Sequence, residues 1–457
     1  MNAIATPVET GSQVGLRAVR TSRRRWLGLA GGALGATLGG RSALARQATP
    51  VASPLPVVPD APGERWVATW STAPHPPFPG AEEVPDLPNQ RLEFADQTLR
   101  QIVRASIGGR RVRLRLSNAL GEAPLVVGAA RLALRETDER IVPGSDRGLT
   151  FSGLPAIAVP PGAVALSDPV DLAVAPLAEV AISLYLPAPT VGATAHGLAL
   201  QTGFLSPGDA TGEVAPPVAA TAEAWYFLAG LDVAATGPTS VVVALGDSIT
   251  DGFGATPGGY GRWTDVLAER LAADPTVGPT AVANQGIGGN RILADGAGDF
   301  AFAGISALAR FERDVLGQPG VSHLVVLEGI NDIGMAAMGG PADAVAAETL
   351  IAGLRQLAER AREHGVVILG GTLTPFEGAL YFTPEGEAIR QAVNAWIRDG
   401  GAFDGVVDFD AAVRDPARPA RLRPAYDPGD HLHLNDAGYR VMGEAVDLAQ
   451  VRPGTGG

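Results

Sequence analysis

Two rhythms of apolar and polar positions divide the chain. From Trp66 to about Phe227 the alternation has a period of two. Arg111-Val112-Arg113-Leu114-Arg115-Leu116 sets charge against bulk at every step, which predicts an antiparallel strand buried on one face, and Val180–Leu186 repeats the pattern. Gly108-Gly109 reads as a hairpin turn ahead of the first run, and clusters such as Pro160-Pro161-Gly162 punctuate the region at strand-like intervals. The pattern predicts a β-sandwich or jelly-roll-like module over residues 64–233. Its Trp66, Trp70 and Trp225 are read as core, with a sugar-stacking platform as the alternative.

Beyond a short linker at 234–239 the second rhythm begins, and strands alternate with helices. Val241-Val242-Val243-Ala244-Leu245-Gly246 is uncharged and β-branched, as suits a strand covered on both faces in a parallel sheet. Further strands are expected at Ala281–Asn284, His323–Gly329, Val366–Leu369 and Val406–Phe409. Helices are expected at Tyr260–Ala273, Ile305–Leu316 and Ala342–His364, then from Thr383-Pro384, with Thr383 as cap, and from Asn435 through Val446. Such alternation predicts a right-handed βαβ succession and a three-layer α/β/α domain over 240–448, followed by a flexible tail at 449–457.

Composition narrows the chemistry. The chain has no cysteine, and every one of its 35 basic residues is arginine. Thiol nucleophiles, disulfides, Cys-ligated metals, Schiff bases and Ser–Lys dyads are therefore excluded. At the N-terminus, Ser22-Arg23-Arg24-Arg25-Trp26-Leu27 precedes a small-residue apolar stretch to Gly40 and a cleavage-type Ala43-Leu44-Ala45. Residues 1–45 resemble a twin-arginine export signal, too short and glycine-rich for a stable membrane anchor, and residues 46–63 read as a linker. The resemblance implies export to the extracellular or periplasmic side. Removing residues 1–45, with six arginines and one glutamate, takes the net charge from −13 to −18, which disfavours nucleic acid as a partner.

Four segments of the second half place polar residues where strands end: Gly246-Asp247-Ser248-Ile249, Asn284-Gln285-Gly286-Ile287-Gly288-Gly289-Asn290, Glu328-Gly329-Ile330-Asn331-Asp332 and Asp430-His431-Leu432-His433. Ligands of open α/β sheets bind beyond the carboxyl ends of the strands. A serine needs a base to take its proton, the base needs a third group to fix its tautomer, and acyl transfer needs donors for an oxyanion.

Together these segments resemble the four blocks of the SGNH (GDSL-type) esterase superfamily, with isoleucine in place of leucine after the serine and Leu434 where many members have proline. The resemblance implies a flavodoxin-like sheet, Ser248 as nucleophile, His433 as base, Asp430 as its orienting acid, and an oxyanion hole of Ser248, Gly289 and Asn331. It is nearest to secreted aryl- or acylesterases, some associated with xylan breakdown, and implies hydrolysis of short-chain esters, O-acetyl or aryl, without cofactor or metal. The substrate would be a small-molecule or polysaccharide ester. The alternatives are a lipase or lysophospholipase-type acylhydrolase of the same superfamily, a His431/His433 metal site, and a non-catalytic polysaccharide-binding protein. Oligomeric state is not legible.

Overall fold

The computed structural model describes residues 63–78, 93–339 and 345–453. Residues 1–45, expected to be an export signal, nearly all of the 46–63 linker and the last four residues lie outside the described residues. The described residues all fall in one compact unit.

The β-rich region is built around two larger antiparallel sheets. One joins Arg65–Ser71, Leu228–Ala235, Gly109–Ser117 and Val164–Leu166, with Val170–Val174 also on Gly109–Ser117. The other is centred on Gln97–Arg104, Glu179–Leu186 and Ala129–Thr137. The alternation read from the sequence holds in the first: Val112, Leu114 and Leu116 are fully buried in the core, and Arg111 and Arg113 turn away from it. Arg115 departs from the rule, because this face is covered too. Its guanidinium is buried, ion-paired at 3.0 Å to the buried Asp232 and hydrogen-bonded at 2.7 Å to Gln318 of the α/β half. Burying an arginine is tolerable only with such partners.

The Gly108-Gly109 hairpin is corrected. Gln97–Arg104 belongs to one sheet and Gly109–Ser117 to the other, so Gly108 ends a crossover between sheets and Gly109 opens the strand that follows. Their small size serves close packing: a Cβ on Gly108 would stand 2.6 Å from the Val174 carbonyl oxygen, and one on Gly109 2.7 Å from Val233 Cβ. Trp70 and Trp225 are buried and meet edge to face at 4.9 Å, while the Trp66 ring lies under the Arg113 guanidinium. Both buried indoles serve the core, so the three tryptophans form no exposed stacking platform.

The α/β half contains five parallel strands, β1 (Ser240–Gly246), β2 (Thr280–Gly286), β3 (Val321–Leu327), β4 (Val367–Gly371) and β5 (Gly405–Val407), in the order β2-β1-β3-β4-β5. This is the flavodoxin-like order, with its switch point between β1 and β3. All seven residues of β1 are buried, which explains their uninterrupted apolar run. Register brings Gly246 level with Gly286 and Leu327, so the segments following three strands emerge at one edge of the sheet.

Helices flank the sheet: α1 (Ser248–Asp251), α2 (Trp263–Ala273), α3 (Ala307–Phe311), α4 (Ile330–Gly339), α5 (Ala347–Glu363), α6 (Pro384–Asp399), α7 (Phe409–Val413) and α8 (Asp436–Ala445). Thr383 and Asn435 cap α6 and α8 through their side chains, accepting from the N–H groups of Gly386 and Gly438.

Several boundaries differ from expectation for local reasons. α2 starts at Trp263 because Tyr260 takes a left-handed φ of 51°. α3 continues as a π-turn through Glu312–Leu316. α5 is assigned from Ala347, and positions 342–344 of the expected helix lie outside the described residues. β5 ends at Val407, because Asp408 caps α7 by accepting from Ala411 N–H. The start of the expected tail is ordered: Leu448–Gln450 is a 3₁₀ turn and Val451 is fully buried.

The two halves share one continuous core that includes Val67, Leu231, Val241 and Val243. Along the contact, Ala68 N–H donates to Pro319 O at 2.9 Å and Arg104 pairs with Glu269 at 3.0 Å. Trp225 anchors this region, its Nε1 donating to Ile102 O at 2.9 Å. Trp225→Ala is expected to cost about 3–5 kcal/mol. Denaturant unfolding should show the loss as a lower midpoint, whereas an unchanged midpoint would contradict a core role.

Candidate active site

Ser248 is held by the geometry of the turn after β1. Gly246 is closed in, since a Cβ there would stand 2.3 Å from Thr250 Oγ1 and 2.5 Å from Leu327 O. Asp247, in extended conformation, caps α1 by accepting from Ile249 N–H at 2.9 Å. Ser248 thus opens a one-turn helix with its side chain facing the edge of the sheet, 7% exposed.

The loop before α8 brings His433 to it. The Ser248 hydroxyl donates to His433 Nε2 at 2.7 Å, and His433 Nδ1–H donates to Asp430 Oδ2 at 2.6 Å. A carboxylate can only accept, so Asp430 fixes the proton on Nδ1 and leaves Nε2 free to receive one. Asp430 is fixed in turn by the N–H groups of Leu432 and His433, each 3.0 Å from Oδ1. Burial works to raise the Asp430 carboxyl, but the His433 imidazole and the two N–H donors outweigh it and hold the group below the ordinary carboxylate range. The histidine loop and the serine turn are tied directly: the Phe253 ring lies 4.4 Å from the imidazole, and Tyr439 OH donates to Phe253 O at 2.6 Å. Leu434, where many family members carry proline, is fully buried, so packing fixes this position.

Gly289 and Asn331 line the same cavity as Ser248 and His433. Gly289 has a φ of 77°, and Gly288 beside it donates its N–H to Asp251 Oδ2 at 3.2 Å. Asn331, at the start of α4, is oriented by Tyr381 OH, which donates to Oδ1 at 3.2 Å, while Nδ2 donates to Asn290 O at 3.0 Å. Asp332 does different work, accepting the N–H groups of Ile292 and Leu293 at 2.8 and 3.1 Å. The cavity has a volume of about 620 Å³, with walls of Phe78, Leu198, Phe253, Phe302, Tyr381 and Leu432 and a carboxylate, Asp299, on its lining. Phe78 and Leu198 come from the β-rich region.

Behind the serine lies a buried charged cluster that the sequence reading missed. The fully buried Arg310 donates to Gly246 O at 2.9 Å, Gln285 O at 2.6 Å and Asn290 Oδ1 at 2.9 Å, and its ion-pair partners are Asp314 and Glu328. Burial pushes Asp247 up to about 7 against the pull of Ile249 N–H, with the Asp332 charge adding to the rise. Burial and the Asp247 charge push Glu328 up as well, against the pull of Arg310, and burial takes Asp332 to about 6.

The other histidines are engaged elsewhere. His431 Nδ1 meets Asp427 Oδ2 at 2.5 Å, and His433 already spends both nitrogens, so the two do not share one ligand set. Among the described residues no three His, Asp or Glu side chains are grouped to hold a metal. His323 bonds to Ser322 Oγ and His364 to Arg360 O. His75 and His196, which carry no sequence signal, are buried; His196 meets Asp251 of the serine turn at 2.9 Å and His75 packs against His196.

A serine, histidine and acid in hydrogen-bond series at the carboxyl edge of a β2-β1-β3-β4-β5 sheet define a hydrolase of the α/β/α serine type. Residues 244–441 match the model of the GDSL-like Lipase/Acylhydrolase family, which agrees with a carboxylic ester hydrolase. No curated protein sequence matches the chain.

Among solved structures, similar chains include an acetylxylan esterase from Geobacillus stearothermophilus (23% identity, covering 47% of this chain and 94% of that one, TM-score 0.35). Others are a carbohydrate acetylesterase family member from Sinorhizobium meliloti (19%, 45% and 94%, TM-score 0.36) and a GDSL-like lipase from Bacteroides thetaiotaomicron (19%, 46% and 87%, TM-score 0.33).

The raised Asp247 gives the fold a pH signature. A carboxyl protonated up to about 7 when folded, but ionised above 3.8 when unfolded, contributes stability that is fully present below 3.8 and lost as pH rises through about 7. Asp247→Asn keeps an acceptor for Ile249 N–H and removes the titration. Its melting temperature should therefore fall less than wild type's between pH 5 and pH 8, and an equal fall would contradict the assignment.

Proposed function

We propose that the protein is an exported serine esterase that hydrolyses uncharged apolar esters, aryl esters of short acids foremost, through an acyl-enzyme. The observation that carries this reading is the continuous series from Ser248 Oγ through His433 to Asp430, at 2.7 and 2.6 Å. Ser248 Oγ attacks the ester carbonyl carbon as its proton passes to His433 Nε2, and Asp430 stabilises the imidazolium that forms. The oxyanion is met by the N–H groups of Ser248 and Gly289 and by Asn331 Nδ2. His433 then gives its proton to the departing alcohol oxygen, the C–O bond breaks, and Ser248 is left acylated. A water, deprotonated by His433, attacks the acyl carbon; the bond to Ser248 Oγ then breaks as His433 returns the proton to that oxygen, and the acid is released.

Substrate class follows from the walls. An apolar cavity of about 620 Å³ is in the usual size range for a small-molecule site and far exceeds an acetyl group. Five of its six bulky wall residues are hydrocarbon, and the sixth, Tyr381, directs its hydroxyl at Asn331, so little is offered to sugar hydroxyls. Its acid, Asp299, disfavours anions. These features support an aryl or other apolar substituent over an acetylated sugar. Export by the twin-arginine route rests on the Arg23-Arg24 segment alone.

Ser248→Ala and His433→Ala should each lower kcat on p-nitrophenyl acetate by roughly 10³-fold or more, and chelation should leave wild type unaffected. Asn331→Ala should cost on the order of 10²–10³-fold in kcat. Full activity in the serine or histidine variant would end the reading, and loss on chelation would favour a metal. Across substrates, kcat/KM should be at least about tenfold higher for aryl acetates than for acetylated xylo-oligosaccharides, and the reverse order would redirect the assignment to sugar esters. A reporter fused to residues 1–50 should be exported only while Arg23 and Arg24 are intact, so export that survives their change to lysine would count against that route.

A further inference from the structure

We propose that the β-rich region is a working part of the catalytic site, and that the buried His196–Asp251 pair is a positioning unit for the loop carrying Gly289. The proposal rests on the reading of Gly289 as an oxyanion donor.

His196 lies in the short strand Ala195–His196 of the β-rich region, 3% exposed, with its ring stacked on Trp225 at 5.6 Å. Its Nδ1 is 2.9 Å from Ala73 O and its Nε2 is 2.9 Å from Asp251 Oδ1. A carbonyl oxygen only accepts, so Nδ1 carries a proton. A carboxylate oxygen also accepts, so a second proton must lie between Nε2 and Oδ1. The pair is thus bonded at both ends, and the mechanism above uses neither member.

Asp251 closes α1, three residues after Ser248. Its other oxygen, Oδ2, accepts the N–H of Gly288 at 3.2 Å. One carboxylate therefore joins three parts of the site: the helix that opens with the nucleophile, the β-rich region through His196, and the residue before Gly289.

The anchor is needed because consecutive glycines have little intrinsic preference for one conformation. An oxyanion donor stabilises charge only if it is fixed before the reaction. Fixing the Gly288 N–H limits the directions in which the next N–H can point. The surroundings of the pair are themselves braced. Arg262 donates to Asp251 O at 2.5 Å and to Leu198 O and Ala199 O at 2.7 and 2.9 Å, so it repeats the link between the serine turn and the β-rich region. His75 accepts the Gly197 N–H on Nε2 at 2.9 Å and packs edge-on against His196 at 5.1 Å.

The test compares His196→Ala, Asp251→Ala and Asp251→Asn with wild type on p-nitrophenyl acetate, with phenylboronic acid as a probe of the tetrahedral, oxyanion-bearing state. His196→Ala and Asp251→Ala should lower kcat roughly ten- to a hundredfold, less than loss of a whole oxyanion donor, with KM within about twofold. The inhibition constant of phenylboronic acid should rise by the same factor as kcat falls. Asp251→Asn keeps an acceptor for Gly288 and a donor for Nε2, and should stay within about threefold of wild type.

A merely structural role would lower the melting temperature of all three without this split. If kcat in His196→Ala stays within twofold of wild type, or the loss appears in KM alone, the proposal is overturned. Should His196→Ala not fold, equal kcat in Asp251→Ala and Asp251→Asn overturns it. Loss of activity in Ser248→Ala with none in these variants would refute only the positioning role, whereas activity surviving in Ser248→Ala would refute the catalytic reading itself.

Discussion

The site depends on one buried cation. Arg310 is fully enclosed at the switch point of the sheet, and its planar fork reaches Gly246 O at the end of β1, Gln285 O near the end of β2 and Asn290 Oδ1 in the loop beyond. It therefore locks together the strand-end carbonyls of Gly246 and Gln285 and the loop that carries Gly289. A guanidinium presents its donors in a fixed plane and remains charged, which suits it to this task better than any other side chain. Its own charge is balanced by Asp314 at 3.2 Å and Glu328 at 3.8 Å. Removing it would leave Glu328 buried without its cation, while Asp314 would keep Arg313 and Gly246 O would keep the Ile287 N–H; an uncompensated buried charge costs far more than the pair itself is worth.

That arrangement sets the electrostatics behind Ser248. Burial raises both Asp247 and Glu328, the Asp332 charge adds to each and the Asp247 charge adds to Glu328, with Arg310 the opposing charge. Asp430, in contrast, gathers donors and stays below the ordinary carboxylate range. The acid preceding the serine and the acid bonded to its histidine thus have opposite tendencies. The one touching His433 is kept ionised, as an acid must be to stabilise an imidazolium, and the one at the foot of α1 is held toward its neutral form.

The readable parts of the sequence were those where one residue type admits few roles. The uninterrupted run of β1, the Thr383 and Asn435 caps, and the four polar segments at strand ends all state a local requirement, and the structure places Ser248, His433 and Asp430 in hydrogen-bond series and Gly289 and Asn331 on the same cavity. What the sequence hid depends on contacts distant along the chain. Arg310 looks like any helical arginine until α3 is docked, and Arg115 looks like an outward charge until Gln318 covers it. The Gly108-Gly109 pair has the composition of a hairpin, yet which sheet each flanking strand joins is decided by partners more than a hundred residues away in one case, such as Leu228–Ala235.

His196 shows the same limit with a consequence for the site. A lone histidine in an apolar, proline-rich stretch carries no chemistry on its own. It acquires meaning only because Trp225 stacks on it, Ala73 takes one ring nitrogen and Asp251 meets the other. The active edge of an open α/β sheet is made of loops, which need support and shielding from water to become a defined cavity. Here the support and part of the shielding come from one source: the region that supplies His196 also supplies Phe78 and Leu198 to the cavity wall. The cavity wall and the Gly288 anchor therefore share one interface, because moving the β-rich region would disturb both together.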